Sequence, residues 1–157
     1  DPRVENNLHP FSRPTLRSVL ASLNSEYGVE SLDGDGGTAR MLGHQTAFPG
    51  NVNYTLGVSD ANPSSAAILL LSFLPDLAGT PFPDPRYPVP VNLDLGTLIL
   101  DHTTSTDADG LASFNLPIPP NALYSGMKFY TQWFIEDVDA QATGGIYGTK
   151  GLEVEIL

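Results

Sequence analysis

The stretch "LDHTTSTDADGLASFNLPIPP", Leu100 to Pro120, sets two aspartates and a glycine between a hydrophobic run and an alternating one. A calcium loop, a catalytic carboxylate pair and a tight turn all use such residues, but the turn accounts for every one of them. Asp107 and Asp109 have short side chains that hydrogen-bond nearby backbone, Gly110 takes a positive φ at no steric cost, and the flanking runs alternate. Calcium asks for roughly six to eight oxygens from a longer arrangement. The reading is a hairpin or tight turn between strands.

Outward from this turn the same period of two recurs. "NVNYTLGVS" (51–59) places Val52, Tyr54, Leu56 and Val58 on one face and Asn51, Asn53, Thr55 and Ser59 on the other, the pattern of a half-buried strand. "AAILLLSFL" (66–74) is apolar on both faces and is expected as a central strand. "PDLAGTPFPDPRYPVP" (75–90) has six prolines in sixteen residues. Each proline lacks the ladder donor, so this segment is expected as a surface excursion. "VNLDLGTLIL", "LASFNLPI", "MKFYTQWFIED" and "GLEVEIL" are expected as further strands, with Trp133 a candidate core indole and Leu152, Val154 and Ile156 facing inward. About seven or eight short strands separated by turn chemistry predict an all-β fold, an antiparallel β-sandwich of immunoglobulin-like or jelly-roll kind.

The first 37 residues differ from the rest. "PTLRSVLASLNSEYG" (14–28) spaces Leu16, Val19, Leu20, Leu23 and Tyr27 as one helical face, with Pro at the start and Gly past the end, which predicts a short amphipathic helix. The flanks "DPRVENNLHPFSRP" and "SLDGDGG" read as extended, flexible segments. The expected organisation is an N-terminal arm over 1–37 and a sandwich domain over 38–157. A polar terminus becomes ordered only when it docks on something. Val4, Leu8, Phe11, Leu16, Val19, Leu20 and Leu23 are therefore the candidate subunit-interface residues.

Charge narrows the partners. Eighteen acids against seven bases give a net charge of −11 over 157 residues, which repels a phosphate backbone and argues against nucleic acid. The chain has no cysteine, so disulfides, thiolate metal sites and a cysteine nucleophile are all excluded. No apolar run approaches the roughly eighteen residues of a membrane span. The chain begins at Asp1 without an initiator methionine, from which a secreted, extracellular or cell-surface protein is expected after signal-peptide removal.

Candidate chemistry is sparse. "LDGDGG" with Asp33 and Asp35 starts like an EF-hand loop but lacks its downstream glutamate, and it reads as a linker. Glu136, Asp137 and Asp139 in "IEDVDA" fall at a strand end, where solvated loop acids are commonplace. His9, His44 and His102 sit in unlike contexts, and no zinc-protease, nucleophile-elbow or phosphate-loop motif is present, so no enzyme is expected. Phe82 and Tyr87, in the proline-rich excursion, are the candidate ligand-binding residues, suited to stacking on sugar faces.

The stretch from "GNVNYTLGVSDANPSSAAILLLSF" through "STDADGLASFNLPIPPNALYSGMKFYTQWFIED" to "GLEVEIL" resembles immunoglobulin-like β-sandwich modules of large secreted bacterial proteins. Asp107 and Gly110, Ile118 and Pro119, and Tyr130, Gln132 and Trp133 carry the likeness. It covers roughly the last two thirds of the chain, and it implies a fold and an extracellular setting without catalytic residues. The functional expectation is a non-catalytic extracellular structural protein that self-associates through its N-terminal arm into a surface filament or layer. The alternative is a carbohydrate-binding or adhesive module recognising cell-surface polysaccharide, with calcium as a weak candidate cofactor.

Overall fold

The computed structural model describes residues 24–140 and 143–157. The largest sheet runs in the order β1 (Asn24–Tyr27), β11 (Gly151–Glu155), β9 (Lys128–Glu136), β4 (Ala66–Ser72) and β7 (Leu98–Ser105). Strand β10 (Ile146–Gly148) continues the β11 side of β9. A second sheet joins β2 (Arg40–His44), β3 (Thr55–Ser59) and β8 (Ala112–Asn115), and a third pairs β5 (Pro75–Pro81) with β6 (Pro90–Leu93). All the strand pairs are antiparallel. The fold is all-β with several antiparallel sheets, an arrangement consistent with a β-sandwich.

The alternation of β9 explains the layering. Phe129, Trp133 and Ile135 point inward, where they join Leu69 and Leu71 of β4, Leu152 and Val154 of β11, and Leu56 and Val58 of β3 in the main core. Trp133 is fully buried there, as expected for the core indole. Phe134 points the opposite way and meets Val89, Val91 and Leu93 in a second apolar cluster that Leu70, Tyr130 and Ile146 border. The large sheet is thus covered on both faces, by β2-β3-β8 on one and by the β5–β6 hairpin on part of the other. That is why "AAILLLSFL" is apolar throughout, and β4 lies between β9 and β7 as a central strand should.

The "DADG" turn forms as read. The Asp107 carboxylate accepts the N–H groups of Asp109 and Leu111, both at 2.9 Å, and the Gly110 N–H donates to the Asp107 carbonyl at 3.2 Å. It is a tight turn but no hairpin, because β7 pairs with β4 in one sheet and β8 with β3 in the other. The chain crosses between sheets here, beside the β3–β4 connection, whose Ala61 N–H donates to the Gly110 carbonyl and whose Ser64 N–H donates to the Asp107 carbonyl.

Other expectations need correction. Asn24–Tyr27, the last turn of the expected helix, is strand β1, because its backbone pairs with β11 from Asn24↔Val154 to Tyr27↔Gly151. The remainder of that segment lies outside the described residues, as do Val4, Leu8, Phe11, Leu16, Val19, Leu20 and Leu23. "SLDGDGG" is no free linker: Ser31 exchanges hydrogen bonds with Gly148, and the Gly34 N–H donates to the Asp137 carboxylate at 2.7 Å. Residues 24–37 are thus bonded to β11, to β10 and to the β9–β10 connection. "VNLDLGTLIL" is divided into the end of β6, a 3-10 turn at Leu95–Thr97 capped by the Asp94 side chain, and the start of β7. Val52 is 60% exposed and precedes β3, so only Tyr54, Leu56 and Val58 of its expected face reach the core. The first half of the proline-rich excursion is strand β5, which pairs with β6 through Pro75↔Leu93, Thr80↔Val91 and Pro81↔Pro90.

Gly110 has φ +72°, and a Cβ built on it would lie 2.0 Å from the Ala61 carbonyl oxygen. Gly36 has a similar φ of +84° with open space around it. Gly36→Ala should cost only the left-handed penalty of about 1–2 kcal/mol. Gly110→Ala should cost clearly more, because the two inter-sheet connections must part; urea denaturation of the two variants measures the difference.

Candidate functional site

The hairpin β5–β6 leaves part of the large sheet's outer face open. Ile68, in the middle of β4, is 40% exposed and forms the floor of a groove of about 480 Å3. Its walls are Leu70, Phe134 and Ile146 from the sheet and Phe82, Tyr87 and Val89 from the hairpin and its loop, while Asp101 and Thr103 of β7 supply the polar rim. Beyond Tyr87 a second depression shares Ile68, Phe134 and Ile146 and ends at Glu136. Phe82 and Tyr87, singled out in the sequence, therefore converge on one groove.

Local chemistry holds these rings in place. The Phe82 N–H donates to the Val89 carbonyl at 3.0 Å, and the Tyr87 N–H donates to the Asp84 carbonyl at 2.9 Å. The Asp84 carboxylate accepts the Arg86 backbone N–H and guanidinium, and the guanidinium pulls its pKa down to about 2. The same guanidinium lies over the Tyr87 ring, 5.5 Å from its centroid. Gly144, at φ +79°, lets a neighbouring loop touch the Arg86 carbonyl, where a Cβ would come within 1.8 Å.

The base of the hairpin is fixed by buried amides. The Gln132 side chain accepts the Asn92 N–H at 2.8 Å and donates to the carbonyls of Pro90 at 3.1 Å and Thr149 at 2.8 Å. The Asn92 side chain then pairs with both backbone groups of Val29, and the Tyr27 hydroxyl donates to the Asn92 carbonyl. Gln132 and Asn92 are both fully buried. Neither was a candidate from sequence, although Gln132 stands in the framework motif beside Trp133; no sequence signal marks Asn92 as its partner.

Two of the acidic candidates, Asp33 and Asp137, hold backbone N–H groups. Asp137 is buried and accepts the N–H groups of Gly34 and Asp139, so it clamps the 33–37 turn to the β9–β10 connection. Burial alone pushes its carboxyl up, but the bonds from Gly34, Asp139 and Asn62 outweigh burial and hold it below the ordinary range. Asp33 likewise spends an oxygen on the N–H groups of Asp35 and Gly37. Among the described residues no three His, Asp or Glu side chains stand where they could hold a metal ion. The His102 and Phe114 ring centroids lie 4.4 Å apart, with the planes tilted by 39°.

A second exposed apolar surface also involves β7. β7 is an edge of the large sheet, eight residues long, and its Leu98 and Ile99 are exposed. Beside Ile99, an apolar cleft of about 220 Å3 opens between Phe73, Leu116, Tyr124 and Met127, with Lys128 its one charged lining residue. No described helix is long and apolar enough to cross a membrane. No protein-family model matches the chain, and no curated protein matches it significantly.

Two outcomes follow from the polar contacts. Gln132→Ala strands the Asn92 N–H and the Pro90 and Thr149 carbonyls, at about 1–3 kcal/mol for each group left without a partner, and should lower the urea midpoint accordingly. Because Asp137 has a folded-state pKa below the unfolded value, its stabilisation is complete above about pH 4 and fades as acid protonates it. Thermal melts from pH 6 to pH 2 should therefore fall less steeply for Asp137→Asn, which starts lower, than for the parent.

Proposed function

We propose that the protein is a non-catalytic extracellular structural subunit, an immunoglobulin-like module of the secreted kind, that self-associates through its N-terminal arm into a filament or layer. The observation that carries this reading is the apolar surface exposed among the described residues near β7, the edge of the large sheet among them: Ile68 and Phe82 at the groove, Phe73, Ile99 and Met127 at the second cleft, all at least 36% exposed. Contiguous apolar patches beside an unpaired strand edge are characteristic docking sites.

Charge and reach support the arm as the visitor. Residues 1–23 contain three arginines and two acids, whereas residues 24–157 contain four bases and sixteen acids. The arm is attracted to the body of any copy, most strongly at low salt. Twenty-three residues extend to about 75 Å, against a radius of gyration of about 14 Å for a domain of this size. The arm joins the body at β1, and β7 is the opposite edge of the same sheet. An arm departing at one edge and received at the other makes a head-to-tail contact, which propagates instead of closing.

The test compares the full chain with a chain lacking residues 1–23 by light scattering and electron microscopy. The full chain should assemble with concentration and loosen as salt rises, and the shortened chain should remain a monomer with an unchanged circular-dichroism spectrum. Equal assembly by both would overturn the reading.

A further inference from the structure

We infer that the outer-face groove floored by Ile68 receives the stripe Leu16, Val19, Leu20 and Leu23 from a second copy of this chain. This rests on the arm-mediated assembly proposed above and names its receptor. The four residues are spaced i, i+3, i+4 and i+7, the anchor pattern by which apolar grooves capture an amphipathic segment. Arg13 and Arg17 precede and interrupt the stripe. They are matched by Asp101 at one rim of the groove and Glu136 at the end of the adjoining depression.

Two alternatives fit less well. The cleft beside Ile99 is also apolar, but its one charged lining residue is Lys128, already paired with Glu153 at 2.6 Å, so no acid in its lining draws the arginines. A sugar would leave hydroxyls against Leu70, Phe82, Val89 and Phe134, with Asp101 and Thr103 the polar groups beside them; unpaired hydroxyls carry the cost of lost hydration. The chain's own arm is the competing occupant, and docking within one chain would leave the full chain monomeric in sedimentation, which would overturn the assignment.

The experiment measures self-association of the full chain and of five variants by sedimentation velocity, with circular dichroism as the check on folding. Ile68→Lys changes a half-exposed side chain and should weaken association at least about tenfold, equivalent to roughly 1.4 kcal/mol. Asp101→Lys with Glu136→Lys should weaken it, as should Arg13→Glu with Arg17→Glu, and combining all four changes should restore most of the loss. If removing residues 1–23 abolishes assembly while Ile68→Lys and the charge variants assemble like the parent, the groove assignment is wrong and the arm reading survives. If removing the arm changes nothing, both fall. Normal assembly by Ile68→Lys together with loss of maltohexaose binding, read by calorimetry, would overturn the assignment and give the groove to a glycan.

Discussion

The side-chain amide of Gln132 is the constraint on which the outer half of the molecule depends. β9 places a fully buried indole, Trp133, in the main core and Phe134 in the second cluster, and Gln132, on the Phe134 face, is fully buried as well. A buried amide there is tolerable only with its groups paired. It finds Asn92, Pro90 and Thr149, and so fastens the proline-rich hairpin and the β10–β11 junction to the central sheet in one stroke. Apolar contact alone would let the hairpin slide; hydrogen bonds fix its register, and with it the position of Phe82 and Tyr87.

That fastening also decides what remains uncovered. The hairpin has only two strands and is anchored towards β1 and β11 through Tyr27, Val29 and Asn92. It cannot also reach β7, so Ile68 is left at the surface of a strand whose other side chains are largely enclosed. Exposure of an aliphatic side chain in a central strand costs stability without helping the fold. Under the arm-docking proposal this exposed face is the receptor, with Asp101 at its rim and Glu136 in the adjoining depression opposite the arginines of residues 1–23.

Rigidity is distributed unevenly. The inter-sheet crossings are locked by Gly110 against Ala61 and by Thr106 bonding to Asn62, and the 33–37 turn is locked by Asp137. The surface of the hairpin tip is held more lightly, by the Asp84–Arg86 pair, which is exposed and adds little stability.

The sequence by itself determined the class of the fold, because alternation in "GLEVEIL" and "MKFYTQWFIED" and the Asp107–Gly110 turn are local properties that neighbouring residues set through sterics and backbone hydrogen bonding. It also marked Trp133 as core and Phe82 and Tyr87 as a pair apart. Tertiary structure decided the rest. The spacing of "SEYG" suits a helix, yet the open edge of β11 made Asn24–Tyr27 a strand, since partner backbone outweighs propensity over four residues. Only the folded chain brought Gln132 to Asn92, forty positions away, and set Asp101 and Ile68 around Tyr87. Such contacts are relations between distant segments, and no local pattern encodes them.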